Sequence, residues 1–163
     1  MVIQMSYAIK AHPTKYNGVQ FRSRLEARWA CFFDLAKWNW QYEPIDLTSW
    51  CPDFWVEFPC QHSECSGSHV LLVEVKPYYS IAEFNEHPCM KYAYGEYMEE
   101  NGVIDLIPAD ASAAFGIDPS VTYWEMAHGA GGGIESVENW VCGDADAMWK
   151  QAGNSVQWKP RLV

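Results

Sequence analysis

Two acidic positions and one lysine, arranged as Pro52-Asp53 and Glu74-Val75-Lys76, are where this 163-residue chain concentrates its chemistry. If residues 50–58 and 70–76 are neighbouring antiparallel strands, Asp53 and Glu74 come within reach of one cation. Two such carboxylates, with the Val75 carbonyl as a further oxygen ligand, suit Mg²⁺ or Mn²⁺, hard ions that take carboxylates, carbonyls and water. An ion held there would act as a Lewis acid towards a phosphate. Lys76, on the same strand face as Glu74, would orient or help deprotonate an attacking water and offset charge on the phosphate. Glu26 is a third carboxylate, on the margin of a buried helix face where it needs a cationic partner. Singly, each is ordinary: an Asp after Pro is commonly a turn residue, Glu-x-Lys a solvated pair, and Glu26 an i+4 partner of Arg22. Their combination, in this order, points to a site.

The elements that must position these residues are legible as periodicities. Residues 1–19 mix polar residues with turn formers and read as an irregular or weakly extended lead-in. From 21 to 37, Phe21, Leu25, Trp29, Phe32 and Ala36 recur at three- and four-residue spacing and form the apolar stripe of a helix. Residues 38–47, 50–58 and 70–76 are short, aromatic or β-branched, and bounded by turn signals, which predicts three successive strands with 59–69 as a long hairpin loop. In the second, Asp53, Trp55 and Glu57 share a face; in the third, Glu74 and Lys76 do, and Pro77 should break that strand. Residues 81–100 read as acidic and mostly helical, stopped by Asn101-Gly102. Strands at 103–107 and 121–126, a flexible glycine loop at 129–133 and a short helix at 145–152 complete an α/β chain without internal repeats.

The formal net charge of −10 is unfavourable for phosphate binding, but its distribution is uneven. Lys10, Lys15, Arg22, Arg24, Arg28 and Lys37 face only Glu26 and Asp34, so residues 1–37 carry +4 and the remainder −14. A basic N-terminal face fits phosphate contact by Lys15, Arg22 and Arg24, though these and Arg28 also read as ordinary surface cations; the acidic remainder fits a basic protein partner. No apolar run approaches the roughly 18 to 20 residues a bilayer requires, and the N-terminus lacks a secretory pattern, so the expected setting is the cytoplasm with reduced thiols.

The order Glu26, Pro52-Asp53, Glu74-Val75-Lys76 resembles the PD-(D/E)XK nuclease superfamily. Residues 16–30 (YNGVQFRSRLEARWA) resemble the opening of nuclease-like proteins common in bacteriophage genomes, as do Tyr42-Glu43-Pro44, the 149–154 segment WKQAGN and Gln157-Trp158-Lys159. The resemblance implies a restriction-endonuclease-like αβββαβ core, with a central mixed sheet flanked by helices, in one domain spanning 1–163. Its core would run over about 20–110, with 111–163 as an extension packed on it. It also implies that Asp53 and Glu74 bind Mg²⁺ or Mn²⁺, that Lys76 is the catalytic lysine, that Glu26 completes or supports the metal site, and that DNA is the substrate, in some relatives cut by a homodimer. The rival implication is a nuclease scaffold kept for interaction, as a DNA mimic or an inhibitor of a host defence enzyme.

Other features carry weaker signals. Cys51, Cys60, His62, Cys65 and His69 are dense enough to raise zinc, with Cys60, His62, Cys65 and His69 as the set, but their spacing matches no standard ligand pattern and a hairpin with reduced cysteines is the plainer expectation. His87 and Lys91 read as surface residues more than substrate contacts. The 129–133 run lacks the Lys-Ser/Thr of a phosphate-binding loop. Most of the nine tryptophans fall in predicted core elements and serve packing.

Overall fold

The computed structural model describes residues 11–157; Lys10 and the Trp158-Lys159 pair lie outside the described residues. It is mixed α/β, with a central mixed sheet and two α-helices. A hairpin of β1 (Thr14–Tyr16) and β2 (Val19–Phe21) precedes α1 (Arg24–Ala36), which leads into β3 (Asn39–Tyr42), β4 (Phe54–Pro59) and β5 (Ser68–Val75). The chain continues through two 3₁₀ turns and a hairpin of β6 (Tyr97–Glu100) and β7 (Val103–Leu106). It then forms β8 (Ala111–Phe115), β9 (Thr122–His128), β10 (Gly131–Glu135) and α2 (Ala145–Gln157). The main sheet has the order β10-β9-β8-β5-β4-β3, antiparallel except for the parallel pair β5 and β8.

Helix α1 starts at Ser23, whose side chain accepts from the Glu26 N–H, and stops at Lys37 in the left-handed region with φ 62°. Phe21, expected on the helix, instead ends β2, where its ring meets Tyr42 and Phe54. The apolar face of α1 buries Trp29, Ala30, Phe32 and Phe33 against Phe54, Val56 and Phe58 of β4, the odd residues Leu71, Val73 and Val75 of β5, and Phe115. The Trp29 indole N–H donates to the Gly116 carbonyl at 3.0 Å and fixes the helix over the end of β8. On the other side, Arg28 lies 4.1 Å above the Trp149 ring and donates to the Trp149 carbonyl, joining α1 to α2. Both helices therefore belong to one apolar cluster on one face, rather than flanking the sheet.

The opposite face is covered by a second cluster of Leu47, Trp50, Leu72, Phe84, Cys89, Met98, Ile107 and Ala114. Its cover is the 76–110 crossover, which corrects the helical reading of 81–100. Only Ile81–Phe84 and Pro88–Met90 form 3₁₀ turns, and residues 97–100 are a strand. Pro88 and Gly95, the latter at φ 70°, interrupt any continuous helix. Asn101 and Gly102, both at positive φ, form a two-residue hairpin turn rather than a helix stop. Asn17-Gly18 does the same between β1 and β2.

The glycine stretch is a loop only at Gly129-Ala130, which turn the chain; Gly131–Glu135 pairs with β9 as an edge strand. Residues 111–157, expected as an extension, supply half of the main sheet, with β8 between β5 and β9. Among the described residues no helix is long and apolar enough to cross a membrane.

Candidate active site

Strands β4 and β5 pair in the register Phe54↔Val73, which brings the start of one beside the end of the other. Asp53 immediately precedes β4; its N–H donates to the Val73 carbonyl at 2.9 Å, extending the ladder by one bond. Its side chain is turned inward at 4% exposure, and Oδ2 accepts the Val75 N–H at 2.8 Å. Glu74, 6% exposed, lies on the neighbouring strand end. Strand β5 ends at Val75, although the Lys76 N–H still reaches the Phe115 carbonyl before Pro77 removes the next donor.

Each carboxylate has its own set of donors. Glu74 Oε2 accepts the Trp50 indole N–H at 2.8 Å, while Oε1 lies 3.5 Å from Lys76 Nζ and 3.4 Å from His87 Nε2. His87 Nδ1 accepts the Cys89 N–H at 3.1 Å, so a neutral His87 carries its proton on Nε2 and directs it at Glu74. Asp53 Oδ1 pairs with Arg22 Nη2 at 2.9 Å, and Arg22 Nη1 reaches Glu43 at 2.9 Å. Glu26, 5% exposed, accepts from Ser23 Oγ and from the Tyr42 hydroxyl, each at 3.0 Å, and lies 3.8 Å from Arg22 Nη2. Arg22 thus bridges Glu26 and Asp53.

The electrostatics separate the two central acids. Burial, followed by the charge of Glu74, pushes Asp53 up to about 8 despite the Val75 N–H and Arg22. Burial also acts to raise Glu74, but the His87 and Trp50 hydrogen bonds and the His87 and Lys76 charges outweigh it and hold Glu74 below the usual carboxylate range. Burial acts to lower Lys76, and the charges of Glu74 and Asp53 overcome it, so the ammonium is retained. The pair therefore favours one proton, carried by Asp53, when no further cation is present.

Glu26, Asp53, Glu74 and Lys76, expected from residue type, strand adjacency and family resemblance, are linked at this end of the sheet through Arg22 and the Lys76–Glu74 pair. Val75 contributes its N–H to Asp53. Among the predicted phosphate contacts, Lys15 is exposed on β1, Arg24 is half-buried at the start of α1, and Arg22, though its side chain is 66% exposed, is engaged with three acids. Sequence reading did not anticipate Trp50, Tyr42 or the bridging role of Arg22, and took His87 as a surface residue. Trp50, expected on a strand, lies in the loop before β4, where the Leu47 N–H donates to the Trp50 carbonyl and the indole N–H reaches Glu74. The signal for His87 was Pro88, which starts a 3₁₀ turn and leaves His87 as its cap.

The set of zinc residues read from sequence is altered. Cys60, Cys65 and His69 do converge, but the fourth member is His128 at the end of β9, not His62. His62 packs its ring 4.8 Å from that of His128 and accepts the Glu64 N–H. All six cysteines are free thiols. Comparison with protein-family models, curated proteins and solved structures gives no match.

Proposed function

We propose that the chain is a Mg²⁺- or Mn²⁺-dependent nuclease of the PD-(D/E)XK type, acting on DNA. The observation that carries this reading is the pairing of buried Asp53 and Glu74 across adjacent strand ends, with Lys76 3.5 Å from Glu74 and pointing along the same face. Two neighbouring buried acids, one of them kept protonated by burial and by its neighbour's charge, would both ionise on binding a cation, and their all-oxygen donor set fits a hard divalent ion. Asp53 and Glu74 would hold that ion, with the Val75 carbonyl, and the buried Glu26 carboxylate would complete or support the site. The ion supplies Lewis acidity at the phosphate.

The chain's own residues do the rest. Trp50 and His87 fix the Glu74 carboxylate so that it cannot rotate away, and the Val75 N–H does the same for Asp53. Lys76, charged and half-exposed, orients the attacking water and offsets the charge that develops on the phosphate. Arg22, whose side chain is mostly exposed, leaves Asp53 when a divalent ion takes its place and turns to the DNA backbone beside Lys15 and Arg24. A restriction-endonuclease-like lineage agrees with α1, the antiparallel β3-β4-β5 run and β8 parallel to β5, with the usual crossover helix replaced by 3₁₀ turns and a hairpin. Cytoplasmic placement and homodimerisation belong to the same proposal.

One observation favours the rival reading, a nuclease scaffold serving as an interaction module that imitates DNA or engages a basic protein. Arg22 already contacts Asp53, Glu26 and Glu43, occupying the place a metal would take, as a site that has dispensed with metal would allow. Incubation with supercoiled, linear, single-stranded and branched DNA, and with RNA, in Mg²⁺ or Mn²⁺ separates the two. Metal-dependent cleavage of DNA supports the nuclease. No cleavage of any of them, with no divalent ion bound, supports the interaction module.

A further inference from the structure

The geometry points to a structural zinc site formed by Cys60, Cys65, His69 and His128, at the opposite end of the sheet from the carboxylates. One ligand atom from each of these four residues lies within 4.8 Å of every other. Cys60 Sγ and His128 Nε2 are 3.2 Å apart. A tetrahedral zinc with bonds of about 2.0 Å to nitrogen and about 2.3 Å to sulfur separates its ligand atoms by roughly 3.3–3.8 Å, so small side-chain adjustments close the cluster. Two thiolates with two imidazoles form a closed donor set that prefers zinc to the hard ions suited to Asp53 and Glu74.

A second, independent observation is His69 itself. It is 3% exposed, and neither ring nitrogen has a hydrogen-bond partner. An imidazole buried with both nitrogens unsatisfied is destabilising, and a fold keeps one only for a reason. A metal on one nitrogen removes that penalty. The other, Nδ1, lies 3.6 Å from Asp110 Oδ2, beyond a hydrogen bond but within a small rotation of one. A ligand histidine held by a carboxylate on its far nitrogen is the usual outer support of a zinc site.

The sheet explains why a metal is useful there. Leu71 pairs with Ala111, the first residue of β8, and Ala113 pairs with Trp124. Continuing the first register by two residues and the second by four sets His69 and His128 level with each other, both opposite position 109, just before the start of β8. Cys60, two residues beyond Phe58, continues the same helix-side face, and Trp140 walls the cluster with ring centroids 5.4 Å from His69 and 5.0 Å from His128. Zinc would tie the β4-β5 loop to β9 where no strand connects them. Along β5, His69 and Glu74 are about 16 Å apart at roughly 3.3 Å per residue, so the site stands clear of the proposed catalytic residues.

The test is metal analysis of the full chain after chelator treatment and reconstitution with zinc, together with the visible spectrum of the cobalt(II) form. Expected are one zinc per chain and the intense bands of tetrahedral cobalt with thiolate ligands. Cys65→Ala, on the exposed loop, should lose the metal; Cys65→His, which restores a ligand, should regain it; and Asp110→Asn should weaken zinc about 10- to 100-fold. Asp53→Ala and Cys142→Ser should retain full occupancy. No zinc in the reconstituted parent, a spectrum without thiolate-bound tetrahedral cobalt, or undiminished zinc in Cys65→Ala would each overturn the assignment.

Discussion

Arg22 Nη2 stands 2.9 Å from Asp53 Oδ1, so a mostly exposed guanidinium is the cation that now serves a buried carboxylate. If Asp53 and Glu74 hold a divalent ion as proposed, that ion and Arg22 would compete for the same oxygen. Arg22→Gln should therefore tighten Mn²⁺ binding, read by titration calorimetry, while weakening DNA binding and lowering the slope of log affinity against log salt by about one. Weaker Mn²⁺ binding in this variant would show that Arg22 shapes the site rather than competing for it.

Asp53 gives a pH signature in the metal-free protein. Its pKa is raised from 3.8 to about 8, so the native state holds this proton more tightly than the unfolded chain does. A raised pKa contributes stability that is complete below the unfolded value and is lost as pH climbs through the folded one. The urea midpoint measured in chelator should fall from about pH 5 to about pH 8, and Asp53→Asn, which imitates the protonated acid, should flatten that fall. Glu74 is shifted the other way, so its contribution is lost only in acid, as pH drops below the ordinary carboxylate range. A parent midpoint that stays level over this window would contradict the assignment of the shared proton to Asp53.

Lys76 is separable from metal binding. Lys76→Met keeps the stem and removes the charge, so it should leave Mn²⁺ affinity within a few-fold and reduce cleavage about 10²- to 10⁴-fold, the range expected of a group assisting proton transfer. An equal loss of metal affinity and rate would reassign Lys76 to holding Glu74 in place.

The junction of the helices rests on Gly153. A Cβ there would stand 2.6 Å from the Arg28 guanidinium carbon, and Arg28 is held by the Trp149 carbonyl and ring. Gly→Ala inside a helix gains about 1 kcal/mol from propensity, whereas displacing charge-assisted hydrogen bonds loses about 1.5–3 kcal/mol. Gly153→Ala should be destabilising by roughly 1 kcal/mol in urea unfolding, and stabilising when Arg28 is already Ala. The same sign in both backgrounds would exclude the clash as the cause.

What could be read from sequence follows from which interactions are local. Helix α1 and strands β4 and β5 were legible because a single amphipathic period and two short apolar runs fix their faces, whereas Glu26, Asp53, Glu74 and Lys76 stand out by residue type, order and family resemblance. The 76–110 crossover was not, since Phe84, Cys89, Met98 and Ile107 are buried by a sheet face that sequence periodicity does not reveal. Residues 97–106 show the cost of weighing periodicity above turn chemistry: Asn101-Gly102 is a hairpin dipeptide, and the alternation on either side of it agrees. Strand β8, with Ala111, Ala113 and Ala114, offers no pattern of its own and is a strand because β5 and β9 flank it. His128, far along the chain from Cys60, Cys65 and His69, joins them only through sheet register, which spacing rules do not register.

Asp53, Glu74 and Lys76 are proposed to act together, with a divalent ion, in phosphodiester cleavage. The most direct measurement is the rate of supercoiled DNA cleavage in saturating Mn²⁺ by the parent beside Asp53→Asn, with folding of both verified by circular dichroism. The parent should cleave, cleavage should stop on addition of chelator, and Asp53→Asn should abolish it. Equal cleavage by both proteins, or none by a folded and Mn²⁺-saturated parent on any nucleic acid, would contradict that proposal.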